Sequence, residues 1–153
     1  MLPATRYKST RRGGGELSFA RQRVNKNGTQ SIGSGGQSVK ITSWVSDDTY
    51  PGTVSSDGLY IPTAGSGVAT ASINAGGGVA AGTCTLRKNA TTASNGTQLG
   101  TVSIPTASGV RTITTDTISL AAGDILTVWY TVSNDTGKTV TAASTFIDWN
   151  PSS

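Results

Sequence analysis

An antiparallel all-β domain, a sandwich or barrel, is the fold this sequence predicts, and three observations predict it. Thr, Ser and Gly account for 25, 19 and 20 of the 153 residues, and β-branched residues interleaved with glycine favour strands and turns. Helix formers are thin, with Glu occurring once and Leu seven times, too few to carry helices through the chain. Alternating apolar and polar runs recur at roughly ten-residue spacing between Gly, Pro, Asn and Asp turn signals. A chain of 153 residues suits one domain. Its charged fraction of 13% is too low for a disordered polyelectrolyte.

The run Gly13-Gly14-Gly15 divides a basic arm, residues 1–15, from a strand-bearing domain, residues 16–153. Leu17, Phe19 and Arg21 alternate with Ser18 and Ala20 as a first strand. A Gly/Ser loop then leads to a strand that places Val39, Ile41 and Ser43 on one face and Lys40, Thr42 and Trp44 on the other. Turn formers dominate residues 47–57, among them Pro51-Gly52 and Asp57-Gly58. The short apolar piece Leu59-Tyr60-Ile61 stops at Pro62, residues 68–73 form a strand of small residues, and residues 74–78 a glycine turn. Residues 83–88 alternate and end at Asn89, and residues 99–104 are stopped by Pro105. Residues 110–120 form one strand and Ala122-Gly123-Asp124 a turn. The most apolar strand, residues 125–132, presents Leu126, Val128, Tyr130 and Val132 on one face and Ile125, Thr127, Trp129 and Thr131 on the other. Residues 140–149 close the domain, giving about nine strands.

The order of these signals is similar to that of a known family. Tyr60-Ile61-Pro62-Thr63-Ala64-Gly65 resembles the aromatic-to-Pro-to-Gly segment of C1q/TNF-like jelly rolls, and Leu86-Arg87-Lys88-Asn89 resembles their turn ending in Asn. Leu120-Ala121-Ala122-Gly123-Asp124-Ile125-Leu126-Thr127-Val128 is similar to their Leu-x-x-Gly-Asp signature before the penultimate strand, and Ser144-Thr145-Phe146 resembles their closing strand. Gly67-Val68 stands where the family usually has an aromatic. The resemblance spans residues 16–149 and implies a jelly-roll sandwich of about 8–10 strands that assembles as a homotrimer. With only 35% hydrophobic residues the core of one subunit is thin, and burial between subunits would add to it. Trp129 and Tyr130 lie on opposite faces of one strand, so one of them is expected at the inter-subunit contact.

The charge is uneven. Residues 1–26 hold seven cations (Arg6, Lys8, Arg11, Arg12, Arg21, Arg23, Lys26) against Glu16, a net +6, while five cations against seven anions leave the remainder at −2. A basic arm on a near-neutral body suits an acidic partner surface. The Thr/Ser/Gly-rich, His-free composition resembles small virion proteins of tailed bacteriophages: capsid decoration proteins, head fibres and minor tail proteins. The resemblance implies a structural role in a virion, with Arg6, Lys8, Arg11 and Arg12 anchoring the domain to the major capsid or a tail protein. No apolar leader or membrane-spanning run is present in the sequence, so synthesis in the host cytoplasm is expected.

The alternative is a host-surface glycan or receptor-binding module, in which an exposed Trp44 and Tyr50 beside Asp47 and Asp48 would stack on a sugar and accept its hydroxyl groups. Asp47, Asp48 and Asp57 lack the spacing of a calcium loop, and neither metal nor cofactor is expected. Nucleic acid is disfavoured, because the arm offers only Tyr7 and Phe19 for stacking. Catalytic residues are not expected either: His is absent, and no Ser-x-x-Lys or paired-carboxylate arrangement supplies a base. Asp124 reads as a turn residue, and Cys84, the single cysteine, as a buried thiol.

Overall fold

The computed structural model describes residues 20–33, 35–76, 81–133 and 138–152. In chain order the strands are β1 (Gln22–Lys26), β2 (Gln30–Ser31), β3 (Ser38–Lys40), β4 (Trp44–Ser46), β5 (Thr53–Ser55), β6 (Gly58–Tyr60), β7 (Gly65–Gly76), β8 (Gly82–Lys88), β9 (Thr97–Ile104), β10 (Gly109–Thr114), β11 (Ile118–Leu120), β12 (Ile125–Val132), β13 (Thr139–Val140) and β14 (Phe146–Pro151). Every pairing between these strands is antiparallel. They make an eight-stranded and a six-stranded sheet, the sandwich predicted from composition and spacing.

β7 organises the larger sheet. Thr70, Ala71 and Ser72 pair with both β14 and β10, so those strands flank β7, and β11 continues the β10 side. Beyond β14 come β1 and then β4. The smaller sheet runs β5, β6, β12, β8, β9, with β3 also on β12. Between them lies a single buried cluster: Ala69, Ala71, Ile73 and Ala75 of β7 and Leu126, Val128, Tyr130 and Val132 of β12 belong to it, together with Ile147 and Trp149 of β14. Cys84 is also in it and fully buried, and desolvation pushes its thiol far above the ordinary range.

Three features differ from the sequence reading, each for a local reason. The strand expected around residues 39–44 is two strands in different sheets: β3 pairs with β12, and β4 pairs with β1. The switch occurs at Ser43, whose φ of 62° breaks the two-residue alternation. Trp44 therefore joins Val39 and Ile41 on the inner side instead of opposing them. The single strand expected over residues 110–120 is split into β10 and β11, because Thr115 turns its hydroxyl onto the Ala69 N–H at 3.1 Å. The closing strand is likewise split into β13 and β14. The first strand expected over residues 17–21 lies mostly outside the described residues, and the first described strand is β1.

Close strand approaches depend on glycine at several places, Gly58 among them. A Cβ on Gly58 would fall on the carbonyl oxygen of Leu126 and within 2.9 Å of Ile125 Cγ2 and Thr127 Cγ2. Gly58→Ala is expected to lower stability by about 2 kcal/mol through overpacking, measured as a reduced urea midpoint with an unchanged slope.

Candidate interaction surface

Strand alternation brings two arginines to one face. Gln22, Val24 and Lys26 of β1 are buried, so Arg21, Arg23 and Asn25 look outward from the larger sheet. On the adjacent β14, Ile147 and Trp149 face the core, while Phe146 and Asp148 look outward, and Arg23 is registered against Asp148. Arg21 Nε donates to Asp148 Oδ1 at 2.9 Å and to Oδ2 at 3.1 Å, and Arg23 Nε donates to Oδ1 at 3.0 Å. Asp148 is only 2% exposed, and two cations on one carboxylate offset its desolvation. The same hydrogen bond raises the Arg21 guanidinium above its ordinary value, against the opposing effect of burial.

Aromatic rings hold both guanidiniums in place. The Arg21 guanidinium carbon is 4.4 Å from the Tyr50 ring centre, and that of Arg23 is 4.0 Å from Phe146 and 5.6 Å from Tyr50, within cation–π range. Nε is the atom that each arginine commits to Asp148, one of the five N–H donors of a guanidinium.

Tyr50 is placed by Asp47. Asp47 Oδ1 accepts the backbone N–H groups of Thr49 and Tyr50 at 2.8 and 2.7 Å, and Oδ2 accepts Asn25 Nδ2 at 2.7 Å. The Asn25 bond first, then the backbone bond from Tyr50, holds the Asp47 carboxyl below its ordinary range. The Arg23 N–H closes the arrangement on the Tyr50 carbonyl at 2.7 Å. Asp47 is thus a turn residue, Asp48 is exposed, and Tyr50 is half-buried.

This placement corrects two expectations. Trp44, read as an exposed stacking residue for a sugar, is 6% exposed and donates Nε1 to the Ile41 carbonyl at 3.0 Å; the sheet switch at Ser43 turns it inward. Tyr130, one of two candidates for the inter-subunit contact, is fully buried in its own subunit. Burial, and secondarily Cys84 beside it, pushes its phenol up to about 12. Trp129 does face outward, from the smaller sheet, but its indole lies flat, donating to Thr127 Oγ1 at 3.0 Å with Lys40 Nζ 5.3 Å from the ring centre. It is 8% exposed and offers little ring surface to a neighbour.

Asp124 ties down the turn before β12. It accepts the Ala121 N–H at 2.8 Å and Asn89 Nδ2 at 2.7 Å, while Asn89 Oδ1 accepts the Ile125 N–H at 2.9 Å. Among the described residues no three His, Cys, Asp or Glu side chains gather as metal ligands, and no helix is long and apolar enough to cross a membrane. Arg6, Lys8, Arg11 and Arg12 lie outside the described residues.

The Arg21/Arg23/Asp148 cluster does not stand out in the sequence. Two signals point to it: cations at positions two apart, and a carboxylate on an otherwise apolar closing strand between Ile147 and Trp149.

No family model and no curated protein matches the sequence. Solved structures do resemble the fold. The TNF protein Eiger from S. frugiperda aligns with a TM-score of 0.63 at 11% identity, over 88% of this chain and 92% of that one. Murine APRIL, in a crystal structure at pH 5.0, aligns with a TM-score of 0.54 at 12% identity, over 85% of this chain and 96% of that one. The fold is a TNF-like jelly roll, as the Leu120–Asp124 signature implied.

Replacing the shared carboxylate leaves two adjacent guanidiniums uncompensated. Asp148→Asn is expected to cost about 2–3 kcal/mol, below the range for a fully buried pair because both arginines keep some solvent. Arg21→Gln, which leaves Arg23 on the carboxylate, should cost under about 1 kcal/mol. Urea denaturation of the two variants beside wild type checks both the sign and the order.

Proposed function

We propose that the chain is a non-enzymatic structural module that self-associates as a homotrimer and is attached by its basic N-terminal arm to a larger particle. The particle we favour is a tailed-bacteriophage virion, with the module as a capsid decoration or minor tail component bound to an acidic surface of the major capsid or tail protein. The observation that carries this reading is the continuity of charge. Arg6, Lys8, Arg11 and Arg12 precede Arg21 and Arg23 in the sequence, with Glu16 the only anion among them, and the guanidiniums of Arg21 and Arg23 are fixed by Asp148, Tyr50 and Phe146. Ordering an arm costs about 1–2 kcal/mol per residue, and a pre-positioned pair of arginines at its root lowers the number of residues that must be ordered to make the first contacts.

The outer face of the larger sheet suits self-association better than the Trp129 side. Its middle is made of small residues, Thr70, Thr112 and Thr114, beside a Ser72 that is buried and bonded to the Ser144 carbonyl, and it carries the half-buried Phe146 and two exposed valines, Val45 and Val110. A flat face of small side chains allows close approach of a second subunit. The glycan-binding alternative has lost one of its two aromatics, since Trp44 is buried.

Light scattering of the full chain is expected to give a mass of about three times the 15.5 kDa of one chain, and Trp129→Ala should leave that mass unchanged. A monomer at micromolar concentration would remove the trimer. Deleting residues 2–12 should preserve the folded trimer and abolish its incorporation into particles. Continued incorporation of the shortened chain would refute attachment through the arm.

A further inference from the structure

The outer face of the larger sheet carries opposite charges on its two sides, β1 and β10, placed at the same height. Arg23, Asp148, Thr70 and Thr114 form one continuous row of paired residues across β1, β14, β7 and β10. Arg21 lies two residues from that row on the β1 side, where β4 forms the edge beyond residues 24–26. Asp116 lies two residues from it in the same direction at the β10 edge, between Thr115, whose N–H donates to the Ala69 carbonyl at 3.0 Å, and Ile118, which pairs with Gly67. Asp116 is exposed. Three strand spacings, about 14 Å, separate β1 from β10, beyond the reach of an arginine side chain. Among the described residues Asp116 accordingly makes no ion pair.

A second feature repeats the order. Val45, paired with Asn25 next to β1, and Val110, paired with Asn74 on β7, are two of the three large apolar residues left exposed among the described residues. Each lies on the same side of the charged row, away from Arg21 on the β1/β4 side and away from Asp116 on the β10 side. Along the strand direction, the first side therefore reads basic and then apolar, while the second reads acidic and then apolar. A rotation about an axis parallel to the strands keeps every residue at its height. It would bring Arg21 and Arg23 of one copy against Asp116 of the next, with the valine levels offset by two residues, about 7 Å. Such a contact joins two different surfaces and closes into a ring when the rotation divides the circle.

We infer that copies of this chain associate head to tail, the guanidiniums of Arg21 and Arg23 on the outer face of one subunit pairing with Asp116 at the β10 edge of its neighbour. This rests on the self-association proposed above and specifies its surfaces and polarity. The pre-positioned guanidiniums suit such a contact, because with Nε held by Asp148 each still presents donors to a second carboxylate.

The test is sedimentation of the full chain over a concentration series, with thermal melting as a control for folding. Asp116→Arg is expected to fold, with a cooperative melt, and to raise the concentration for half-dissociation by roughly tenfold or more. The charge-swapped Arg21→Asp/Asp116→Arg chain should recover at least about half of that loss on a logarithmic scale. If Asp116→Arg does not fold, Asp116→Asn decides in its place, with weakened assembly supporting the pairing and wild-type assembly overturning it. Trimers of Asp116→Arg as stable as wild type, or a folded double variant with no recovery, would overturn the edge pairing while leaving self-association intact. A wild-type chain that is monomeric at every concentration would overturn both.

Discussion

The sandwich depends on a mismatch in side-chain size between its two central strands. β7 turns Ala69, Ala71 and Ala75 inward with one isoleucine, while β12 turns in Leu126, Val128, Tyr130 and Val132. Small residues on one sheet leave room for large ones from the other, so a chain with few hydrophobic residues still fills its interior. The remaining volume is taken by Trp44 and Trp149, brought in from other strands of the same sheet. Both indoles are needed because the alanines cannot fill the space, and this is why a tryptophan that alternation alone would place outside is found within.

Much of this was legible in the sequence, and the exceptions are instructive. The two faces of β12 follow the alternation of residues 125–132 without error, since a long central strand has no freedom to shift register. The Asn89 and Gly123-Asp124 turns also follow from residue type; Asn89 adopts a φ of 55°, which asparagine tolerates. Alternation misplaces Trp44 because a single left-handed residue, Ser43, changes both the sheet and the phase, and serine carries no strong signal for that conformation. Tyr130 and Trp129 can be assigned to opposite faces from sequence, but which face meets the core depends on what lies across from it. The arginine cluster is legible only in halves, because its carboxylate lies 125 residues beyond Arg23.

A carboxylate buried under two guanidiniums is a weak source of net stability, since desolvation consumes most of the attraction. Its value here is positional. Asp148 occupies both Nε groups, the rings of Tyr50 and Phe146 fix the planes, and Asp47 fixes Tyr50 in turn. Flexible side chains are thereby converted into an oriented surface, which lowers the entropy lost when a partner arrives. Apart from Val45 and Val110, the outer face of the larger sheet is otherwise small and polar, so this cluster supplies most of its charge.

The position of β14 bears on how the chain comes to be folded. It lies in the middle of the larger sheet, between β1 and β7, yet it is the last described strand to be synthesised. Until residues 146–151 emerge, β1 has only the three residues of β4 to pair with in that sheet, and one side of β7 is bare over most of its length. The larger sheet cannot close before then, whereas β8, β9 and β12 of the smaller sheet are already available to one another. Completion therefore comes late in biogenesis, with an open sheet edge exposed to misdirected pairing in the interval. The many threonines and serines on the outward positions of β7 and β10 keep that waiting edge polar, a protection that matters while the chain is being made even though it contributes little to the finished core.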